Sequence, residues 1–508
     1  MKRRIIIYQV LPRIFGNKRK HPVPDGNIRK NGCGKLGDFT TTALNAIRDL
    51  GCNYIWYTGI ISHASATDYS RYGIPASDPA LVKGRAGSPY AIRDYYSICP
   101  DLIIGNQDKA FLDFKRLVDR SHRAGLKVLI DFVPNHVAAD YIGTRDAFTD
   151  ANFYPSHYHD GDWTDTQKLN YYNRDTWEKM LRILFFWIET GIDGFRCDMA
   201  ELVPCEFWEW AIPQVKAKAK ERDNVYSSII FIAEVYNPYQ YRDYITRGHF
   251  DYLYDKVGLY DTLKSVVRGA SASLITQSWQ SVDDINDKML NFLENHDEQR
   301  IPSPDFAGNA INARPALLVS ALMRNNPFML YFAQHLGEPG ADAEGFSGYD
   351  GKTSIFDYWS LPSLRHWSSG GKYDGALLNR EERQLHAYYS KVLNFCNSQK
   401  AFREGEFFDI MYANYDNPKM DTNLLYAFLR KRHEDLILVV ANFSDTEQHA
   451  DIVIPDHAFD TLQLPETKNQ QTTDLLTDIK RDVKLVKGNT IPVVVPPHDG
   501  LLLKMVLK

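Results

Sequence analysis

The sequence predicts an α/β fold: a (β/α)8 TIM barrel with a short inserted loop domain after the third strand and a C-terminal antiparallel β-sandwich domain. Three observations carry this reading. Short apolar runs alternate with amphipathic helical patterns as far as residue 402, the signature of parallel β/α units. Eight of those runs have the length and composition of buried strands. From residue 403 the alternation gives way to closely spaced β runs, such as 436–440 and 491–495, with no comparable helix between them. The domains therefore read as 1–136 and 171–402 for the barrel, 137–170 for the inserted loop and 403–508 for the sandwich.

The first strand is 5–8. Its lead of Lys2, Arg3 and Arg4 resembles a leader peptide, but Tyr8, Gln9 and Arg13 interrupt the apolar run and no small-residue cleavage site follows. The second strand is 54–57. The clearest unit is 108–133, where Phe111, Phe114, Leu117 and Val118 recur at helical spacing, Gly125 ends the helix, and 127–133 is the strand. In the next helix Trp177, Met180, Leu181, Leu184, Phe185 and Ile188 form one stripe, Asn173 is the N-cap and Gly191 lies past the end. Strand 194–198 follows, and then 229–233, 252–254, 288–293 and 328–331. Two connections are too long to be mere links: about 35 residues after the third strand, and 337–375. In a barrel of this kind such loops wall a site at the C-terminal ends of the strands.

Composition excludes several partners. With 59 basic and 64 acidic residues, a net of −5 and no long single-sign run, nucleic acid is not expected. No stretch approaches the ~18 apolar residues of a membrane span, so no membrane is expected either. Cys33, Cys52, Cys99, Cys197, Cys205 and Cys396 lack C-x-x-C spacing, which points to a reducing, cytoplasmic setting and against a cysteine-held zinc. His157 and His159 beside Asp160 and Asp162 read as a solvated loop, not a metal centre. Trp208 and Trp210 read as helix core. Trp163, Tyr171 and Tyr172 are possible sugar platforms, while Tyr349, Tyr358 and Trp359 in the last long loop are the better subsite walls.

Ionisable groups at the ends of apolar runs carry the chemistry. Asp131, Asp198, Glu234 and Asp297 each lie within or just after such a run, where a buried strand has little use for charge. Arg196 and Asp198, two apart on a strand, share a face. A guanidinium there would lower the Asp198 pKa and suit it as a nucleophile, whereas the apolar, aromatic neighbours of Glu234 would raise its pKa and suit it as an acid. Two carboxyls with opposed shifts are what glycosidic cleavage needs, and His296 with Asp297 could steady the charge between them.

Four segments then match a family. Asp131 to His136 (DFVPNH), Gly194 to Asp198 (GFRCD), Ala233 to Val235 (AEV) and Glu294 to Asp297 (ENHD) stand in the order and at about the separations of the four signatures of the α-amylase family, glycoside hydrolase family 13. The resemblance covers the barrel, extends to Ser88, Pro89 and Tyr90 through Asp94 and Tyr95, and includes the β-rich C-terminal domain. It implies Asp198 as nucleophile, Glu234 as general acid/base and Asp297 as transition-state stabiliser. Tyr90, His136, Arg196 and His296 would bind substrate, with Arg196 orienting Asp198. The implied activity is retaining hydrolysis of α-glucosidic bonds, of the α-1,4 type, in starch-derived glucans or maltooligosaccharides. A transglycosylase or glucan isomerase of the same family is the alternative, and a non-catalytic sugar-binding or assembly protein is a third reading. No cofactor is expected. The calcium site of many relatives should be absent, because Asn135 remains but Lys168 stands where an acidic ligand is expected and Leu202 where a His would be. Lys168 would instead bridge the inserted loop to the barrel through Asn135 or a nearby carboxylate.

Overall fold

The computed structural model describes residues 3–223 and 229–507, so Lys2 lies outside the described residues. All eight expected strands form one closed parallel barrel in chain order: β1 (Ile6–Val10), β2 (Tyr54–Tyr57), β3 (Lys127–Phe132), β4 (Gly194–Cys197), β5 (Ile230–Ala233), β6 (Tyr252–Tyr254), β7 (Met289–Phe292) and β8 (Phe328–Tyr331). Barrel strands face side chains within and helices without, so both faces exclude water. That is why they read as continuous apolar runs instead of alternating ones.

The helices after them follow the same logic. Helix α1 (Ala110–Arg123) buries Phe114, Leu117 and Val118. Helix α2 (Arg174–Ile188) starts at Asn173, whose side chain accepts the Asp175 N–H. Gly125 and Gly191 turn the chain at φ of 86° and 95°, which a residue with a Cβ rarely adopts. Trp208 is fully buried, as a core residue should be, while Trp210 is half-buried against Trp177.

Long excursions leave the C-terminal rim, and they include one that the sequence does not predict. The additional one follows β2 and carries an antiparallel pair, Ile61–His63 with Ile92–Ile98. The expected inserted loop holds a second small ladder, His136–Ala138 with Thr166–Lys168. Another follows β8.

Past helix α3 (Arg380–Ser398) come eight further strands: β9 (Glu406–Asp409), β10 (Leu425–Arg432), β11 (Asp435–Asn442), β12 (Gln448–Val453), β13 (Thr467–Asp474), β14 (Lys480–Leu485), β15 (Thr490–Val495) and β16 (Asp499–Val506). Six form an antiparallel sheet in the order β9-β10-β11-β16-β13-β14, and β12 pairs with β15. At the seam with the barrel, the buried Arg430 donates to the carbonyls of Leu322, Met323, Ala401 and Gly405 at 2.8 to 2.9 Å. Among the described residues no helix is long and apolar enough to cross a membrane.

Candidate active site

The strand ends deliver the acidic groups to one place. Asp198 directly follows β4 and Glu234 directly follows β5, and the ladder continues into both: the Asp198 N–H donates to the Phe132 carbonyl at 2.9 Å and the Glu234 N–H to that of Cys197 at 3.1 Å. Their backbones are thus as fixed as the barrel itself. Asp297 lies on the turn after β7, where the Asn295 side chain accepts its N–H at 2.8 Å and that of Glu298 at 2.9 Å. The three carboxylates line one pocket of about 500 Å³ together with Tyr90, His136 and His296. A volume of that size suits a small ligand.

Arg196 organises the floor. It is fully buried beneath the pocket, so its expected place among the substrate-binding groups is corrected: it touches the acids, not the space above them. One Nη lies 2.8 Å from Asp198 and 3.5 Å from Asp131, and the other 2.6 Å from Glu234. The rings of Trp56, Tyr90 and Tyr254 surround the guanidinium with centroids 5.3 to 5.4 Å away. Desolvation of the cation is offset by charge and ring quadrupole together.

The expected lowering of the Asp198 pKa is not what the site holds. Burial pushes the Asp198 pKa well above the usual carboxylate range, and Arg196 only partly opposes it because Glu234 and Asp131 add like charge. Asp131 is pushed up to about 6 by burial, against the pull of Arg196 and the Trp56 N–H. The setting of Glu234 is polar, not apolar. Besides Arg196 it accepts the Tyr236 hydroxyl at 2.6 Å and the Met199 N–H at 2.8 Å. Met199 sits at φ 41°, a strained left-handed conformation for a residue with a side chain, and so aims its N–H at Glu234.

A second chain of contacts fixes the neutral groups. His296 is buried and held uncharged, its pKa lowered by burial and then by Arg196. The Gln9 amide donates to its Nδ1 at 2.9 Å, which leaves the proton on Nε2, 2.6 Å from the Tyr90 hydroxyl and 3.1 Å from Asp297. Tyr90 in turn donates to Asp131 at 3.3 Å. The Asp297 side chain is 42% exposed, but into the pocket, and the surrounding walls raise its pKa. His136 is buried against the Trp163 ring, with burial lowering its pKa to about 4.

Other expectations are redistributed. Tyr349, Tyr358 and Trp359 do not wall the pocket: Tyr358 and Trp359 are buried and Tyr349 is exposed away from it. Ile355 and Phe356 of the same loop do so instead, as does Trp163, whereas Tyr171 is buried and Tyr172 points to solvent. His157 bonds Gln167 at 3.0 Å, and among the described residues no group of three or more His, Cys, Asp or Glu side chains is arranged to hold a metal ion. The Lys168 ammonium lies 2.8 Å from Asp160, whose other oxygen accepts the Asn135 amide at 2.8 Å. Residues that sequence reading passed over include Lys83, Asp165 and Tyr236, all in the pocket wall.

Comparison with known proteins agrees with this architecture. The chain is 23% identical over 462 residues to an α-amylase of Dictyoglomus thermophilum, covering 87% of this chain and 70% of that one. It is likewise 23% identical over 470 residues to a cyclomaltodextrinase of a Bacillus species, covering 86% and 72%. The fold superposes on a maltogenic α-amylase of Thermotoga neapolitana with a TM-score of 0.68 at 22% identity, covering 99% of both chains. An α-amylase of Geobacillus thermoleovorans complexed with acarbose superposes at 0.70 and 19% identity, covering 99% of this chain and 98% of that one. The sequence profile of the α-amylase catalytic domain matches residues 9–161 and 152–355, and the chain belongs to the α-amylase family of glycosidases.

Proposed function

We propose that this pocket cleaves α-glucosidic bonds, of the α-1,4 type, in starch-derived glucans or maltooligosaccharides with retention of configuration. Asp198 attacks the anomeric carbon while Glu234 gives its proton to the departing oxygen. The glycosyl ester on Asp198 is then opened by a water whose proton returns to Glu234. Asp297 faces the hydroxyls of the reacting sugar with the His296 ring beside it, and Tyr90 stacks beneath the sugar, with His136 on its flank. The observation that carries the reading is the grip of one guanidinium on both reacting carboxylates, at 2.8 and 2.6 Å. That grip supports the short spacing of about 5 Å used by retaining pairs, since an inverting pair needs room for a water between them.

Proton NMR of the first-formed product tests the stereochemistry. An α-anomer that later mutarotates is expected, and an initial β-anomer would sink the assignment. Interception of the same ester by a sugar hydroxyl is the alternative outcome, and the chain is 27% identical over 244 residues to an α-1,4-glucan:maltose-1-phosphate maltosyltransferase of Cereibacter sphaeroides. Chromatography of products from maltooligosaccharides, pullulan and isomaltose over time separates the two, because transfer yields longer chains. The reading includes no calcium: the Lys168–Asp160–Asn135 tie supports an ammonium doing the bridging instead. It also includes a cytoplasmic setting, which the free thiols of all six cysteines support.

A further inference from the structure

The two ends of the pocket are built differently. In a closed eight-stranded barrel β5 stands across from β1, so the loops that follow β8 and β2 flank the side opposite Glu234. An acid that protonates a departing oxygen must stand on the leaving-group side of the scissile bond. The opposite wall therefore faces the non-reducing end of the sugar being cut.

That opposite wall is continuous, because three loops meet in it. Lys83, from the loop after β2, reaches Asp165 of the inserted loop at 3.1 Å, and its ammonium lies 5.9 Å from the Phe356 ring centroid of the loop after β8. Behind this contact the Ala86 N–H donates to the Phe356 carbonyl at 2.9 Å, and Arg13 donates to the carbonyls of Ile355 at 3.0 Å and Ala86 at 3.3 Å. The Glu234 side is open by comparison. Val257 is 42% exposed there, and the chain past Tyr236 runs into solvent, with Tyr239 93% exposed.

We infer that the Lys83–Asp165 pair closes the glycone end of the pocket, so that the enzyme works from the non-reducing end of an α-glucan and recognises that end by its free hydroxyl. The inference rests on the assignment of Glu234 as the acid. Chemistry supplies the discrimination. The Lys83 ammonium has three N–H donors and pairs with Asp165 by charge, and Asp165 can accept from a hydroxyl that Lys83 donates to. A terminal hydroxyl satisfies both partners. The glycosidic oxygen of a continuing chain cannot donate, and the sugar beyond it would run into Phe356. Sites built to hydrogen-bond a hydroxyl reject analogues that lack it far more strongly than apolar pockets reject extra bulk.

The test compares maltoheptaose with the same oligosaccharide capped at its non-reducing end by a cyclic acetal, following loss of the parent by chromatography. The wild-type enzyme should consume the capped chain at least about a hundredfold more slowly. Lys83→Ala should raise KM for the free chain by about tenfold and narrow the gap, since a charge-assisted contact is lost and the wall opens. Lys83→Met, which keeps the stem against Phe356, serves if the smaller side chain impairs folding. Equal consumption of both chains by the wild type would overturn the inference while leaving the glycosidase reading intact. Consumption of neither by folded protein would overturn the reading as a glycosidase of α-1,4-glucans, and the inference with it.

Discussion

Arg196 and Arg430 are both fully buried guanidinium groups, and they sit in opposite kinds of surroundings. Arg196, at the barrel mouth, faces three carboxylates and three aromatic rings. Burial works against its charge, but Glu234, Tyr254, Tyr90 and Asp198 outweigh that and raise its pKa well above the usual value. Arg430, at the seam with the C-terminal domain, faces backbone carbonyls and the Asn325 side chain, and burial drives its pKa well down. Carbonyls at a seam can be satisfied by any donor that reaches them. Carboxylates gathered under a pocket need a charge to hold them together, and they gain from it both placement and ionisation. A buried cation among carbonyls therefore marks structure, and one among carboxylates marks chemistry.

Substituting each arginine tests that contrast. Arg196→Met should lower kcat/KM by about a thousandfold, because Asp198 and Glu234 lose their common anchor and repel one another. A variant with near-normal turnover would dissolve the distinction. Arg430→Met should lower stability by about 3 to 5 kcal/mol, since several buried carbonyls lose their donor at once, with kcat below the melting temperature within about twofold of wild type. Urea unfolding and initial rates on one preparation check both halves.

Smaller effects sharpen the electrostatic side of the comparison. In the proposed mechanism Asp198 attacks as a carboxylate, and its pKa is raised, so the acid limb of kcat/KM should lie above the usual carboxylate range. Asp131 adds like charge to Asp198, so Asp131→Asn should lower that pKa and move the limb toward acid by about one unit. A limb that stays fixed, or moves toward base, would show that another group controls it. The weakest expected effect is at Lys168, whose pairing with Asp160 is largely but not wholly shielded. Lys168→Met should lower stability by about 1 kcal/mol. EDTA should leave the wild-type melting temperature unchanged, and a fall of several degrees that calcium reverses would restore the metal site.

The sequence was legible where burial is two-sided and chemistry local. Strands such as 54–57 and 328–331 are unbroken apolar runs because both faces are covered, and Asp198 and Glu234 stand out at the ends of such runs. The hairpin after β2 was not legible, because its strands are interrupted by polar and turn residues and its register shifts twice. The polar setting of Glu234 was not legible for a related reason. Residues 231–236 look apolar in a row, but Glu234 takes its partners from Arg196 and Met199 on the neighbouring strand and its turn. Lys83, Asp165 and Phe356 come together from three separate loops, and no local pattern announces an ion pair across 82 positions, the difference between 83 and 165.

The central claim is a covalent bond between sugar and Asp198, and trapping it is the most direct test. Glu234→Gln removes the proton donor, yet fluoride departs without one, so α-glucosyl fluoride should still load the variant while water, lacking its base, unloads it slowly. Intact-mass spectrometry should show one added hexosyl group, and peptide mapping should place it on Asp198. A variant that consumes the fluoride with no adduct, or carries the hexosyl group on another side chain, would contradict the account.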